Sequence, residues 1–529
     1  MKRKLKFKFA AILAIIVLQC FLLTGCEAQE KIETFFARKV EFSCGKFPNN
    51  ARELSLTVNA EEVLLLDEFS QLESVDLSGS TCYAEIAHWA QTHPNVKLSC
   101  DLPLPNGQVV DILTEEVDLS GLTQAELKEA AELLSVMPQL KSAQMGKAVS
   151  GEELDFQDLL YLENELPGVS FNWDKYRFDI FGNNVSLNDT TLDLSVITSE
   201  DTELALTLAA HMPQLECIEL GIEREALSWE DVYRFQSDFP DVEPSYEFRL
   251  YEKTFNIKDT SMDLSYTTLE DKAEALRELL PYLPRCTYVN MDTCGLSNEE
   301  MAELQAQFPD KKLVWRLFFA KYTLLTDEET LLASMPSRGG SFTSEDLDVL
   351  KYTTDLKHID LGHNGMFTDI SFIAPLTKLE VAIFACTNLR DISGIENCVN
   401  LEYLEIYHSD VDTVEPLRGL TKLRHLNIGD TKVTDISPLY DLELERLWFS
   451  WFNIVPDEQI EKMRELHPDC LIDDTARDPD QGGWRVISYM PEVKHPRYAL
   501  LREQFGYTAE DYNFVWNDKV YWDYYRGRR

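Results

Sequence analysis

The stretch LRHLNIGDTKVTDISPL, residues 423–439, carries apolar residues at Leu423, Leu426 and Ile428, then at Val433, Ile436 and Leu439. A helix repeats its apolar face every three to four residues and a half-buried strand every second one, and this spacing does neither throughout. The first half recurs. LKHIDL, LEVAIF, LEYLEI, LRHLNI and LERLWF begin at Leu356, Leu379, Leu401, Leu423 and Leu444, at intervals of 23, 22, 22 and 21 residues. A second motif follows each of the first four: DISFI, DISGI, TVEPL and DISPL. Each repeat thus carries two short apolar rows, and neighbouring repeats are expected to stack into one core.

These motifs resemble leucine-rich repeats of the short, internalin-like type over residues 344–473. The resemblance implies an α/β, right-handed solenoid, a horseshoe or arc, with the hexads forming a parallel sheet and the turns closing the convex side. The Asn usual after the hexad stands only at Asn364; Thr387, Ser409 and Thr431 replace it, and their hydroxyls are expected to bridge the backbone between coils.

Upstream the period is about three times longer. VDLSG, LDLSV and MDLSY precede helical stretches, and PQLKSAQM, PQLECIEL and PRCTYVNM carry the hexad again. A second helix in each unit ends in a proline signature: HPNV at 93, LPGV at 166, FPDV at 239 and FPDK at 308, with HPDC returning at 467. Next come apparent hairpins in LPLPNGQVVDI, YRFDIFGNNVSL, EFRLYEKTFNI and WRLFFAKYTLL, with turns expected at Asn106-Gly107, Gly182-Asn183, Glu252-Lys253 and Ala320-Lys321. The expected organisation is a signal peptide at 1–25, lipid attachment and a short linker or cap at 26–48, and divergent long α/β leucine-rich repeats at 49–322. A connecting bulge at 323–343, short repeats at 344–473 and an aromatic cap at 474–529 complete it.

The N-terminus reads as an address. A basic MKRKLKFK, an apolar FAAILAIIVLQCFLL and LTGC resemble a bacterial lipoprotein signal with its lipobox. That resemblance implies diacylglycerol on Cys26, cleavage after Gly25, and anchorage to the cell membrane on its extracytoplasmic face. Together with the repeats and the GGWR…HPRY tail, it is similar to leucine-rich-repeat lipoproteins of Gram-positive anaerobes. A formal net charge of −43 excludes nucleic acid as a partner. Of eleven cysteines, loss of Cys20 and modification of Cys26 leave nine, an odd number. Most are expected as small buried hydrophobes, with Cys82 and Cys100 the pair to test.

No Walker loop, HExxH, GxSxG or CxxC is present, which weakly disfavours an enzyme. The resemblance to leucine-rich solenoids, which present a concave sheet to partners, implies non-enzymatic binding of another protein or a surface polymer, with no cofactor. The residues between inward positions form the candidate surface: His358, Tyr403, Glu405, Tyr407, His408, His425, Asn427, Asp430, Arg446, Trp448 and Trp451. Tyr407, Trp448 and Trp451 are expected as exposed aromatics; the alternative is that the C-terminal segment folds back over the two tryptophans. The second residue after each hexad reads His363, Cys386, His408, Asp430 and Trp451, of which the first four carry ligand-type side chains. That column is the alternative, as a metal site or the centre of an envelope hydrolase, although a line of ligands does not make a tetrahedron. A structural spacer is the third reading.

Overall fold

The computed structural model describes residues 37–146, 153–334, 342–449, 454–475, 484–487 and 490–506. The chain divides into two compact units, Met1–Tyr246 and Glu247–Arg529. The division falls inside the block expected as long repeats.

In the first unit, three-residue strands lie parallel in successive groups. Glu53–Ser55, Ser74–Asp76 and Lys97–Ser99 form one group, and Glu116–Asp118, Ser142–Gln144 and Ser170–Asn172 another. Thr191–Asp193 pairs with Cys217–Ile222 in the same sense. The middle residue of a strand points inward, as Leu54, Val75 and Leu98 do, while its two neighbours face out. The proline signatures explain how helix gives way to strand. Tyr83–Thr92, Phe156–Glu165 and Trp229–Ser237 end at or just before the tetrapeptides, whose proline disfavours helical geometry in the residue before it. Each tetrapeptide then closes a turn from its last N–H to its first carbonyl: Val96 to His93, Val169 to Leu166, Val242 to Phe239. In the second unit Lys311 to Phe308 and Cys470 to His467 do the same. A strand begins at the next residue in all five cases.

The DLS motifs have an equally local cause. Asp76, Asp118, Asp193, Asp263 and Asp360 end strands, and each carboxylate accepts the backbone N–H two residues on. Asn290 and Asn427 do so with their amide oxygens. Three residues past these strand ends the backbone often turns left-handed, at Gly79, Gly121, Tyr266, Thr293, His363 and Asp430. Cys386 and His408 hold the same place and the same conformation.

All four expected hairpins are present as antiparallel pairs. Two turns sit one residue earlier than expected: Phe181-Gly182 and Tyr251-Glu252 are the central pairs, with positive φ at all four residues. The ribbons also have a task that the sequence did not suggest. Asn106 donates to the Asp118 carbonyl at 2.9 Å, Asn183 to that of Asp193 at 2.8 Å, and Lys253 to that of Asp263 at 2.8 Å. Each acceptor closes the first strand of the following group, so each ribbon folds onto it and supplies donors there.

The second unit holds a seven-stranded parallel sheet: Thr330–Leu332, His358–Asp360, Val381–Ile383, Tyr403–Glu405, His425–Asn427, Arg446–Trp448 and Leu471–Asp473. Its first strand lies within the stretch expected as a connecting bulge. Leu331, Ile359, Ala382, Leu404, Leu426 and Leu447 form one continuous inward row, aligned rung to rung. Short 3-10 turns at Ser371–Ile373, Ile395–Asn397, Glu415–Leu417 and Ser437–Leu439 bring the second row, with Val433, Ile436 and Leu439 buried as the repeat reading requires. The hydroxyls correct one expectation. Thr387, Ser409 and Thr431 donate to Phe384, Ile406 and Ile428 of their own coils, and only Asn364 reaches the preceding coil, at the Ala333 carbonyl. A hydroxyl on one carbon is too short for the span that an amide covers.

Candidate binding face

Alternation fixes what the seven-stranded sheet shows on the face away from its core. Position one of successive strands gives His358, Val381, Tyr403, His425 and Arg446; position three gives Asp360, Ile383, Glu405, Asn427 and Trp448. Tyr403, Glu405, His425, Asn427 and Arg446 were expected to be open to solvent, and the structure corrects that; at Trp448 it follows the alternative, in which the C-terminal segment folds back. Tyr403 and Glu405 are each 1 % exposed, Asn427 0 % and Trp448 2 %. The cover is the segment 484–506, in which Trp484, Tyr498, Leu501 and Phe505 join Val381, Ile383, Tyr403 and Trp448 in a second apolar cluster. The parallel strands of the first unit keep their outer positions exposed, as at Glu53–Ser55, Glu116–Asp118 and Thr191–Asp193, or half-buried, as at Ser74–Asp76 and Ser142–Gln144.

Glu405 is the centre of the contact. One carboxylate oxygen accepts from Arg485 at 2.7 Å, and the other from the Tyr403 hydroxyl at 2.9 Å and the Trp484 indole at 3.2 Å. Burial and the adjacent carboxylate hold the Tyr403 hydroxyl well above its ordinary pKa. Arg446 lies under Trp484, its guanidinium 4.4 Å from the ring centroid, and donates to the Trp484 carbonyl at 2.8 Å and to His425 Nδ1 at 3.2 Å. Burial brings Arg446 down to about 10. Burial, then Arg446, holds His425 down at about 3; the same two causes hold His495 at about 4. His358 pairs with the Thr330 hydroxyl at 3.0 Å and meets the edge of Phe505.

Two buried donors on this face have no hydrogen-bond partner among the described residues: Asn427 Nδ2 and Trp448 Nε1. The other oxygen-bearing end of Asn427 is used, accepting from Gly429.

At the rim the face opens. Tyr407 is half-buried with its ring edge-on to Trp448, and His408 is exposed. His408 Nδ1 pairs with Asp430 Oδ2. The column His363, Cys386, His408, Asp430 is therefore a row of left-handed turn residues. Burial pushes the Cys386 thiol up to about 11 and lowers the basicity of His363. Among the described residues no group of three or more His, Cys, Asp or Glu is placed to hold a metal ion. Trp451 and Cys26 lie outside the described residues. Cys82 and Cys100 are both free thiols, hydrogen-bonded to the Val58 and Leu77 carbonyls; Cys286 is buried and Cys217 half-buried.

The alternative that the C-terminal segment folds back holds at Trp448, whereas its reach over Tyr403, Glu405 and His425, through Trp484, Arg485, Tyr498 and Phe505, was not foreseen. The available signal was the aromatic and arginine content of GGWR…HPRY, which marks a segment that packs without saying where.

No family model matches the chain, and no curated protein matches it. Among solved structures it is similar to internalin C2 of Listeria monocytogenes, with 15 % identity, 56 % of this chain and 86 % of that one covered, and a TM-score of 0.22. It is also similar to the leucine-rich-repeat ectodomain of the Arabidopsis receptor kinase HAESA, solved in complex with an N-terminally extended IDA peptide hormone. That match has 16 % identity, covers 51 % of this chain and 39 % of the other, and has a TM-score of 0.20.

Proposed function

We propose that this chain is a non-enzymatic binding protein, tethered to the cell membrane through lipid on Cys26 and facing outward, that holds another protein or a surface polymer. One observation carries the binding half: seven parallel strands present a rigid face of aromatic, carboxylate, imidazole and guanidinium groups that already accommodates a length of polypeptide. Aromatic and arginine side chains are the usual energetic centres of such contacts. The lipobox residues support the tether. Against a thiol enzyme stands Cys386, protonated at neutral pH and so a poor nucleophile.

The test is photocrosslinking in intact cells from a benzoyl-phenylalanine placed at Tyr407 or His408, with the exposed Lys422, between a 3-10 turn and the next strand, as control. Discrete adducts from the first two positions and none from the third are expected. Adducts absent from Tyr407 and His408, or equal from all three, refute the reading.

A further inference from the structure

The segment 484–506 sits where a ligand would sit, and its contact has features that a permanent core lacks. The apolar core of the short repeats lies wholly beneath the sheet and contains no residue of 484–506. The cluster above the sheet is separate and smaller. Removing the segment therefore leaves every inward row packed.

The chemistry of the covered face points the same way. A surface that is always buried is best filled with apolar side chains, because charged groups lose their water there. This one carries Glu405, His425, Asn427 and Arg446, which suit a face that is at times solvated. The fit is also incomplete. Asn427 Nδ2 and Trp448 Nε1 are sealed in without acceptors among the described residues, so 484–506 leaves unmade two hydrogen bonds that a better occupant could form.

We propose that 484–506 is an exchangeable intramolecular ligand that keeps the inner face closed. The partner to which it gives way is a polypeptide segment presenting an aromatic residue followed by arginine. The carboxylate of Glu405 would receive the arginine, as it now receives Arg485. Arg446 and Tyr403 would frame the aromatic ring, as they now frame Trp484. Backbone carbonyls of the incoming segment would serve Asn427 and Trp448. This deepens the binding function proposed above and rests on it for the identity of the face.

The probe is a fluorescent peptide with the sequence of residues 484–506, titrated by anisotropy against the full chain and against the full-length double variant Trp484→Ala, Arg485→Ala. The peptide should bind the variant at least tenfold more tightly than the wild type, whose own copy competes. Adding Glu405→Ala to the variant should abolish binding. Hydrogen exchange on the wild-type chain is the second arm, independent of any variant's folding. The amides of Phe505 and Gly506 should exchange at least tenfold faster than those of Leu404 and Leu426, reporting opening of the segment alone. Failure of the peptide to bind the folded double variant, or exchange of the segment at the same rate as the core strands, overturns the proposal. Crosslinks from Tyr407 and His408 without exchange would leave the binding reading standing and remove this one; exchange without crosslinks would show that the segment opens but remove the binding reading, and the proposed partner with it.

Discussion

Glu405 and Leu426 are both fully buried, on opposite sides of one sheet, and they should fail differently. Truncating Leu426 to Ala opens a cavity in the continuous inward row and should cost about 2–5 kcal/mol of global stability. Glu405→Ala leaves Arg485 buried without its carboxylate, a loss that would reach about 3–5 kcal/mol if the chain had to tolerate it. It need not, because 484–506 can leave and hydrate. The variant should therefore melt close to wild type while the amides of 484–506 lose protection; a melting loss as large as that of Leu426→Ala would show the segment to be integral to the core. His425 adds a pH dependence. It faces the cations Arg446, Arg424 and Arg497 and the imidazole of His495, with Tyr403 beside it and the Glu445 carboxylate 3.7 Å away. Covered, it stays neutral down to about pH 3; uncovered, it titrates near 6.5. Below about pH 6.5 the uncovered state binds the extra proton, so docking weakens as pH falls, by up to about 1.4 kcal/mol per pH unit per histidine. Protection of Phe505 and Gly506, corrected for intrinsic exchange, should drop between pH 7.5 and 5.0. His425→Gln should flatten that dependence, leaving the part due to His495, and an unchanged profile would show that the covered imidazole does not control docking.

At the scale of strand and turn, the spacing of Leu423, Leu426 and Ile428 against Val433, Ile436 and Leu439 was legible because both rows are set by local backbone geometry. The column His363, Cys386, His408, Asp430 was legible as a column, with metal or hydrolase chemistry only as its alternative reading, and its conformational cause was not legible. What these four residues share is a φ between 53° and 61°. Glycine would have announced that conformation; a histidine or cysteine does not, since other residues enter it only at a cost of about 1–3 kcal/mol. His408→Gly should be neutral or stabilising by up to about 1 kcal/mol in thermal unfolding. His408→Val, β-branched in the same conformation, should destabilise by about 1–2 kcal/mol. Equal effects of the two would show that the His408–Asp430 pair, not the backbone, decides this position. That the C-terminal segment could fold back was legible, but which residues it would meet was not, for a different reason. Alternation says which side chains face outward, but the Glu405–Arg485 pair spans 80 residues of sequence, and nothing local encodes that meeting.

At the scale of the whole chain, the long repeats, the short repeats and the proline signature could be read directly, whereas the division at Tyr246 and Glu247 could not, because both sides use the same coil grammar. The lipobox leads to the fourth expectation: Cys26→Ala should abolish incorporation of labelled fatty acid and leave the leader uncleaved, and label retained by that variant would refute the anchor. The ribbons carry a consequence of another kind. A parallel sheet interrupted along the chain would normally expose a raw edge at every break, inviting the wrong strand to pair there. In the first unit Asn106 and Asn183 reach back to the strand that opens the following group, so each interruption is sealed by the piece of chain that causes it. The segment that breaks the sheet is thus also the one that satisfies a backbone acceptor at the break. What joins the group ending at Ser170–Asn172 to the one opening at Thr191–Asp193 is side-chain chemistry, such as the Glu163–His211 pair at 3.0 Å, and not a continuous ladder.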